Sequence, residues 1–531
     1  MNIDNEKKMR RSIASNSVET STISLDYLKA LKGCSMTGKW DVVSFVLLDK
    51  INSLWKKRWD AETADAFNGD RTFVQSIDVT FEQNPSHNQR IVYQLNAKLG
   101  PPSLEFLLGN SMNVIVIIPL VSGTMTTTTY YKGNLDETNS INIQSTVEKP
   151  LMLTANALLA YFDGGVDDFH HVHIDLKQMD ISLKNIKFDP LVDKDLCNVI
   201  EDYIQKQKLQ PWLLGTLRYH SDKEFLKPKH VKFRTFVPPN EHMHISNADY
   251  WPPLLGIYIV TTSEIPSGDI DKTWGLDAWP VSKELDAAVY FSAKLFFENE
   301  VIPEMKKTFG NASIVFDEKT KTYSATVGNP ILVINKDIEY IESVGAVNIL
   351  NPAKKVNRRV KISLPAMSIK LKLNMNNVEL SCHKTWSESI PCQDSSHTSQ
   401  GGSHSSYSVS NKSFEFSCSF DSLATAKINK DTFVISFDTC KLKPAISMHN
   451  NEGWLENLAG ALRDTYGMEK EAENGLLNQF KDKELILGEM SMFAVSNLLF
   501  PESKCIEPEA VCFPNDLVIV GKVTRDWKKP A

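Results

Sequence analysis

The chain holds little cysteine, only eight residues in 531. That is too few for a disulfide scaffold. No pair has C-x-x-C spacing, which removes zinc-ribbon and thioredoxin-type readings. Cys382, Cys392, Cys418 and Cys440 lie close enough in sequence for one local disulfide, while reduced, buried thiols are the ordinary reading. Long apolar runs are missing too. The longest, Val114–Leu120, is strand-sized and contains a proline, far short of the ~18 residues of a transmembrane helix. Residues 1–25 contain a basic cluster but no apolar stretch of a secretory signal, and read as a flexible tail. The expectation is cytoplasmic synthesis, with release by lysis or a non-classical route. Positive charge is not in excess either. Lys plus Arg is 58 and Asp plus Glu is 65, so the net charge is −7, which argues against a nucleic-acid binder.

Catalytic signatures are equally scarce. No G-x-S-x-G elbow, kinase set or dinucleotide fingerprint occurs. Gly33–Lys39 fits G-x-x-x-x-G-K, but Trp40 stands where a Ser or Thr must hold magnesium. His170, His171 and His173 form the cluster HHVH. On a strand, His171 and His173 share one side, as in some metal sites. No H-E-x-x-H and no completing carboxylate accompanies them, so they are minor metal candidates only. The expectation is a protein that is not an enzyme and needs no cofactor.

What is present is β texture. Residues 71–81, 89–98, 112–118 and 124–131 are rich in β-branched and aromatic residues, with turn signals at Gly100-Pro101-Pro102 and Gly133-Asn134. Polar and apolar residues alternate along 174–188, 361–373 and 414–420, the mark of strands with one buried face. Four helices are predicted. They span Val42–Trp59, a segment from Asp193 with Leu196, Val199, Ile200, Tyr203 and Ile204 on one face, Leu285–Phe309 with a kink at Pro303, and Trp454–Tyr466. The Ser/Gly/His-rich stretch 385–412 reads as an exposed hairpin loop. The fold class expected is α+β and β-rich, with long curved antiparallel sheets wrapped around long amphipathic helices in an elongated molecule. The boundaries expected are a tail over 1–36, a first domain over 37–250 and a second over 251–531, with C-terminal strands able to return to the first.

Three segments carry a family resemblance. Gly38-Lys39-Trp40-Asp41-Val42-Val43 looks like an opening Gly-Trp-Asp segment with Lys39 inserted. Phe493-Ala-Val-Ser-Asn-Leu-Leu-Phe500-Pro501 looks like a C-terminal block, and Asn515-Asp516-Leu-Val-Ile-Val520-Gly521 like a closing Gly-Asp-Leu strand with Asn515 in place of Gly. With these, the chain resembles the OrfX and P-forty-seven group of the tubular lipid-binding (TULIP) superfamily, accessory proteins of clostridial neurotoxin and related insecticidal toxin gene clusters. The resemblance implies a strongly curved sheet around a long helix, leaving an apolar groove.

The functional expectation follows. Leu285, Val289, Leu295, Phe296 and Ile302 would contact acyl chains. Two basic runs, Lys227, Lys229, Lys232 and Arg234, and Lys354, Lys355, Arg358 and Arg359, would meet an anionic head group such as a phosphoinositide. Each run also fits lysines that keep a strand edge from aggregating. The partners expected are lipid or an anionic membrane surface, together with a toxin or sibling proteins of the same cluster. Two other readings stand beside it: a structural subunit that binds a sibling without lipid, and an independent insecticidal or pore-forming toxin, for which Thr126–Thr129 would lie in a membrane hairpin.

Overall fold

The computed structural model describes most of residues 25–523. The longest stretches outside that description are 238–251, 262–278, 451–469 and 492–505. Among the described residues the architecture is β-rich, with several antiparallel sheets, none of them closed. Everything is organised around a six-stranded hub sheet. Its order is His230–Phe236, Leu254–Val260, Val42–Leu47, Ala287–Phe291, Leu517–Val523 and Ile506–Cys512. Strands from near both ends of the chain therefore meet in one sheet. Val42–Leu47 pairs with Leu254–Val260 on one side and with Ala287–Phe291 on the other. The penultimate partner, Leu517–Val523, then zips onto Ala287–Phe291.

Both faces of the hub are buried. Val42, Val46, Leu255, Ile257, Ile259, Val289, Phe291 and Ile519 face the main core. Val43, Phe45, Tyr258, Tyr290, Val518 and Val520 face a second core, roofed by Leu28 and Leu31 of the helix Leu25–Leu31 and by Met36 and Trp40. Tyr27 and Tyr290 both donate to the Pro280 carbonyl, at 2.7 and 2.5 Å. The outer face is crowded at Gly256. A Cβ there would come within 2.8 Å of the Phe236 ring and 3.2 Å of the Phe45 ring.

Double burial explains two departures from the sequence reading. A strand buried on both faces reads as a continuous apolar run, which periodicity cannot separate from a buried helix. Val42–Trp59 is accordingly a strand, Val42–Leu47, followed by a helix, Leu48–Glu62. Leu285–Phe309 is not one helix either. Ala287–Phe291 is a hub strand, and the helix begins at Ala293, where Ser292 Oγ accepts from the Leu295 amide at 3.1 Å. The third helix forms over Pro190–Lys206 with Leu196, Ile200 and Ile204 fully buried, as its spacing predicts. Trp454–Tyr466 lies outside the described residues.

Two further sheets flank the hub. One runs Ser76–Ser86, Gln89–Leu99, Asn113–Tyr131, Met152–Gly164, Phe169–Lys184 and Trp212–Arg218, with Ser103–Phe106 and Asn134–Gln144 on opposite halves of the long strand Asn113–Tyr131. The helix Leu48–Glu62 reaches it through Asn52, whose amide side chain bonds the backbone N–H and C=O of Leu104 at 2.7 and 3.0 Å. The other sheet contains Ala312–Asp317, Thr322–Val327, Met367–Asn374, Asn377–Thr398 and His404–Asn429. Here the expected loop over 385–412 is instead the far end of a long hairpin, paired in unbroken register from Asn377↔Thr425 to Thr398↔His404. Ser is neutral enough to follow either course. Ile390 and Cys392, alternating and buried, decide for strand.

A buried carboxylate, Asp516, fastens the hub to its surroundings. Asp516 accepts from the Met36 and Thr37 amides at 3.0 and 3.3 Å, from the Ala293 amide at 3.2 Å, and from Ser35 and Thr37 hydroxyls. Three segments distant in sequence thus meet on one side chain. Burial pushes its carboxyl above the ordinary range, and these hydrogen bonds pull it partly back. Asp516→Ala leaves two buried amides and a half-buried one without an acceptor, at ~1–3 kcal/mol for each buried one, so chemical denaturation should show a loss of at least ~2 kcal/mol. In the pH window between its unfolded and its raised folded value, only the folded state holds the proton. Its contribution to stability is therefore complete at acid pH and is lost as pH rises through the folded value. The stability of the wild type relative to Asp516→Asn should accordingly decline over that rise.

Candidate functional site

The inner faces of the sheets and the helices between them form one apolar cluster. It runs from Phe81, Leu95 and Met125 in the first flanking sheet, past the inner hub face, to Ile369, Leu380 and Phe416 in the second. Alternation builds it. Met367, Ile369, Leu371 and Leu373 turn inward while Ser368, Lys370 and Lys372 remain exposed. The helix that follows the hub lies in this interior. Ala293–Phe296 passes through a π-helical turn, Phe297–Val301, into Ile302–Phe309. The Ile302 amide donates to the Phe297 carbonyl five residues back, and Pro303 follows where its missing N–H costs least.

Of the five predicted acyl contacts, Val289, Leu295 and Phe296 are buried in this cluster and Ile302 packs partly buried against it. Leu285 does not join them. It lies before the hub strand and packs in the outer core with Tyr290. Phe296 sits 5.5 Å from Phe437 and 5.8 Å from Phe513, and Phe297 4.2 Å from Tyr323, ring centre to ring centre. Two buried hydroxyls in this otherwise apolar cluster and on the inner hub face have no hydrogen-bond partner, those of Tyr323 and Ser44. Burial raises the Tyr323 phenol far above its usual range, so it stays a neutral donor and acceptor. Neither is singled out by sequence, because a Tyr or Ser within a strand carries no mark of an unmet hydrogen bond.

The basic runs are placed on two different strands. Lys227 lies outside the described residues. Lys229 and Lys232 are exposed, and Arg234 is buried, on or next to the edge strand of the hub. The Lys232 ammonium stands 5.9 Å from the Trp40 ring centre and the Arg234 guanidinium 4.6 Å from that of Phe236. Lys354, Lys355, Arg358 and Arg359 lie on Lys354–Leu364, paired with Ile331–Glu342. Opposing acids and amides answer them there. Lys355 bonds Glu339 at 2.7 Å, Arg359 bonds Asn335 at 3.0 Å, and Asp337 is directly opposite Arg359. The two runs are not brought into one patch by strand pairing.

His171 and His173 lie on Phe169–Lys184, paired with Phe162 and Ala160; their side chains fall outside the description. Among the described residues no group of three His, Cys, Asp or Glu could hold a metal. The Gly33–Lys39 segment spends its Met36 and Thr37 amides on Asp516, so they do not face a phosphate. Among the described residues no helix is long and apolar enough to cross a membrane.

No family model and no curated protein matches the sequence. Solved structures do match its fold. P47 from Clostridium botulinum A2 is 14% identical and aligns over 92% of this chain and 98% of its own, with a TM-score of 0.50. P47 of Clostridium botulinum E1 is 14% identical, with 91% and 99% coverage and a TM-score of 0.52. A lipopolysaccharide binding protein aligns over 91% of the chain at a TM-score of 0.28, too low to bear on the fold. The chain therefore has the fold of the P47 structures over nearly its whole length.

The thiols of the interior are chemically quiet. Cys382, Cys392, Cys418 and Cys512 are buried, and Cys382, Cys418 and Cys512 are free thiols. Burial pushes Cys382 up to about 11 and Cys418 and Cys512 up to about 12. A thiol-reactive chromogen at pH 8 should leave these three unlabelled in the native protein and label them after unfolding, as mapped by peptide mass.

Proposed function

We propose that this chain is a non-enzymatic lipid-binding protein of the tubular lipid-binding type, holding acyl chains against the apolar inner faces of its sheets. The observation that carries the reading is the single apolar cluster joining both flanking sheets through the inner hub face, in a fold shared with P47. Val289, Leu295, Phe296 and Ile302 are its acyl contacts. Lys229, Lys232 and Arg234, and Lys354, Lys355, Arg358 and Arg359, are head-group candidates on separate surfaces, phosphoinositides among the head groups they would take. The resemblance of the Gly38–Val43, Phe493–Pro501 and Asn515–Gly521 segments to the OrfX and P-forty-seven group supports a role as an accessory of a toxin gene cluster, acting beside a toxin or sibling protein. The domain boundaries near residues 36 and 250 belong to the same proposal, with Ile506–Cys512 and Leu517–Val523 returning to the hub.

The interior is not purely hydrocarbon. Tyr323, buried with an unmet hydroxyl beside Phe297, offers one hydrogen bond to an oxygen of an incoming lipid. Titration with a phospholipid bearing a fluorescent acyl chain tests both points. Saturable uptake is expected. Tyr323→Phe should leave the unliganded protein equally or slightly more stable, since it removes an unpaired polar group, and should weaken uptake of an ester lipid about tenfold. Absence of saturable uptake would contradict the proposal.

A further inference from the structure

The end of the first flanking sheet carries a site that the interior does not use. Two hairpins finish side by side there. Ser76–Ser86 turns into Gln89–Leu99, and Asn113–Tyr131 turns into Asn134–Gln144. Gln89–Leu99 and Asn113–Tyr131 pair directly, with Gln89 opposite Tyr131 and Arg90 opposite Tyr130. The Lys132 amide donates to the Asn88 carbonyl at 2.7 Å and ties the two turns together. Lys132 and Gly133 both have positive φ, 49° and 82°, the two-residue turn whose twist suits a hairpin.

Between the turns lies a pocket of about 800 Å³. His87, Asn88, Arg90, Tyr130 and Lys132 are among its lining residues, and the lining includes no carboxylate. Arg90 is already oriented. Glu82 on the neighbouring strand holds it by two contacts, one from Nε at 2.8 Å, and its guanidinium stands 5.3 Å from the Tyr130 ring centre. A guanidinium has five N–H donors, so donors remain for an anion.

Two of the seven large hydrophobic residues exposed among the described ones flank the turn at Lys132 and Gly133, Tyr131 at 51% and Leu135 at 64%, while Val121 and Ile141 lie farther along the same hairpin. The return strand from Asn134 to Asn142 is exposed throughout, so this end of the sheet projects past the core. Exposed Tyr and Leu beside cations and a polar pocket form the arrangement of a membrane-interface anchor. Asp136 and Glu137 follow on the same strand, which confines the cationic surface to the turns.

We infer that this two-turn tip docks the protein on an anionic bilayer, with Tyr131 and Leu135 entering the interface and the pocket receiving one phosphate-bearing lipid head group. The inference rests on the lipid-binding reading above and places the membrane contact away from both basic runs.

Flotation of the full chain with phosphatidylcholine vesicles, with and without about a fifth phosphatidylserine, tests it. Two variants are used. Tyr131→Ser with Leu135→Ser removes the apolar anchor. His87→Gln with Lys132→Asn removes charge, and Asn keeps the left-handed turn. Wild type should float with the anionic vesicles. Each variant should bind them about tenfold more weakly, while retaining wild-type melting behaviour and wild-type uptake of the fluorescent lipid. Wild-type flotation by either variant, or no flotation of wild type on anionic vesicles, would overturn the inference. Flotation that depends on the tip without any acyl uptake would sustain the tip and remove the interior reading instead.

Discussion

The pairing of Val42–Leu47 with two strands drawn from residues 254–291, and the closing of Leu517–Val523 onto that pair, is the constraint on which the rest depends. All six side chains of Val42–Leu47 are buried, which is feasible only because each face of the hub has its own cover. The inner face is covered by the helices and flanking sheets, and the outer face by Leu25–Leu31, Met36 and Trp40. Asp516 makes this arrangement cooperative, because one carboxylate satisfies amides from the N-terminal segment and from the start of the interior helix. A hub that joins residue 42 to residue 523 must wait for most of the chain, so slow folding dominated by non-local contacts follows from its topology.

The same constraint positions the interior. Ala287–Phe291 delivers the chain at the inner hub face, Ser292 caps the turn, and Phe296 and Phe297 enter the apolar cluster together. A π-turn absorbs the extra residue ahead of Pro303. The result is a helix whose aromatic residues meet the second sheet at Tyr323 and approach Phe437 and Phe513. The same features that make a packed core, apolar and inward-facing, make a surface for acyl chains. The unmet hydroxyls of Tyr323 and Ser44 are what sets this interior apart from ordinary packing.

The sequence was most legible where one face is wet. Alternation found the inward side of Met367–Asn374 and of Phe414–Phe420, and helical spacing found Pro190–Lys206. The hub strands have no wet face, so Val42–Leu47 and Ala287–Phe291 lack the period-two signal and resemble helix segments. Residues 361–373 alternate as one run, yet Pro365 divides them between two different sheets. The long hairpin around 385–412 was hidden by its serine content. The candidate site was legible in part. Val289, Leu295 and Phe296 read as one helical stripe and do share the interior, but the first arrives on a strand. At the tip the sequence signals only a turn at Gly133-Asn134, because the neighbouring turn at His87-Asn88 is distant in sequence.

The central claim is that the apolar interior holds lipid. A native mass spectrum of the full chain, purified without detergent, tests it most directly. The account predicts a protein peak accompanied by adducts of phospholipid mass that fall away on unfolding. A spectrum containing only the bare polypeptide, unchanged after incubation with phospholipid vesicles, would contradict it.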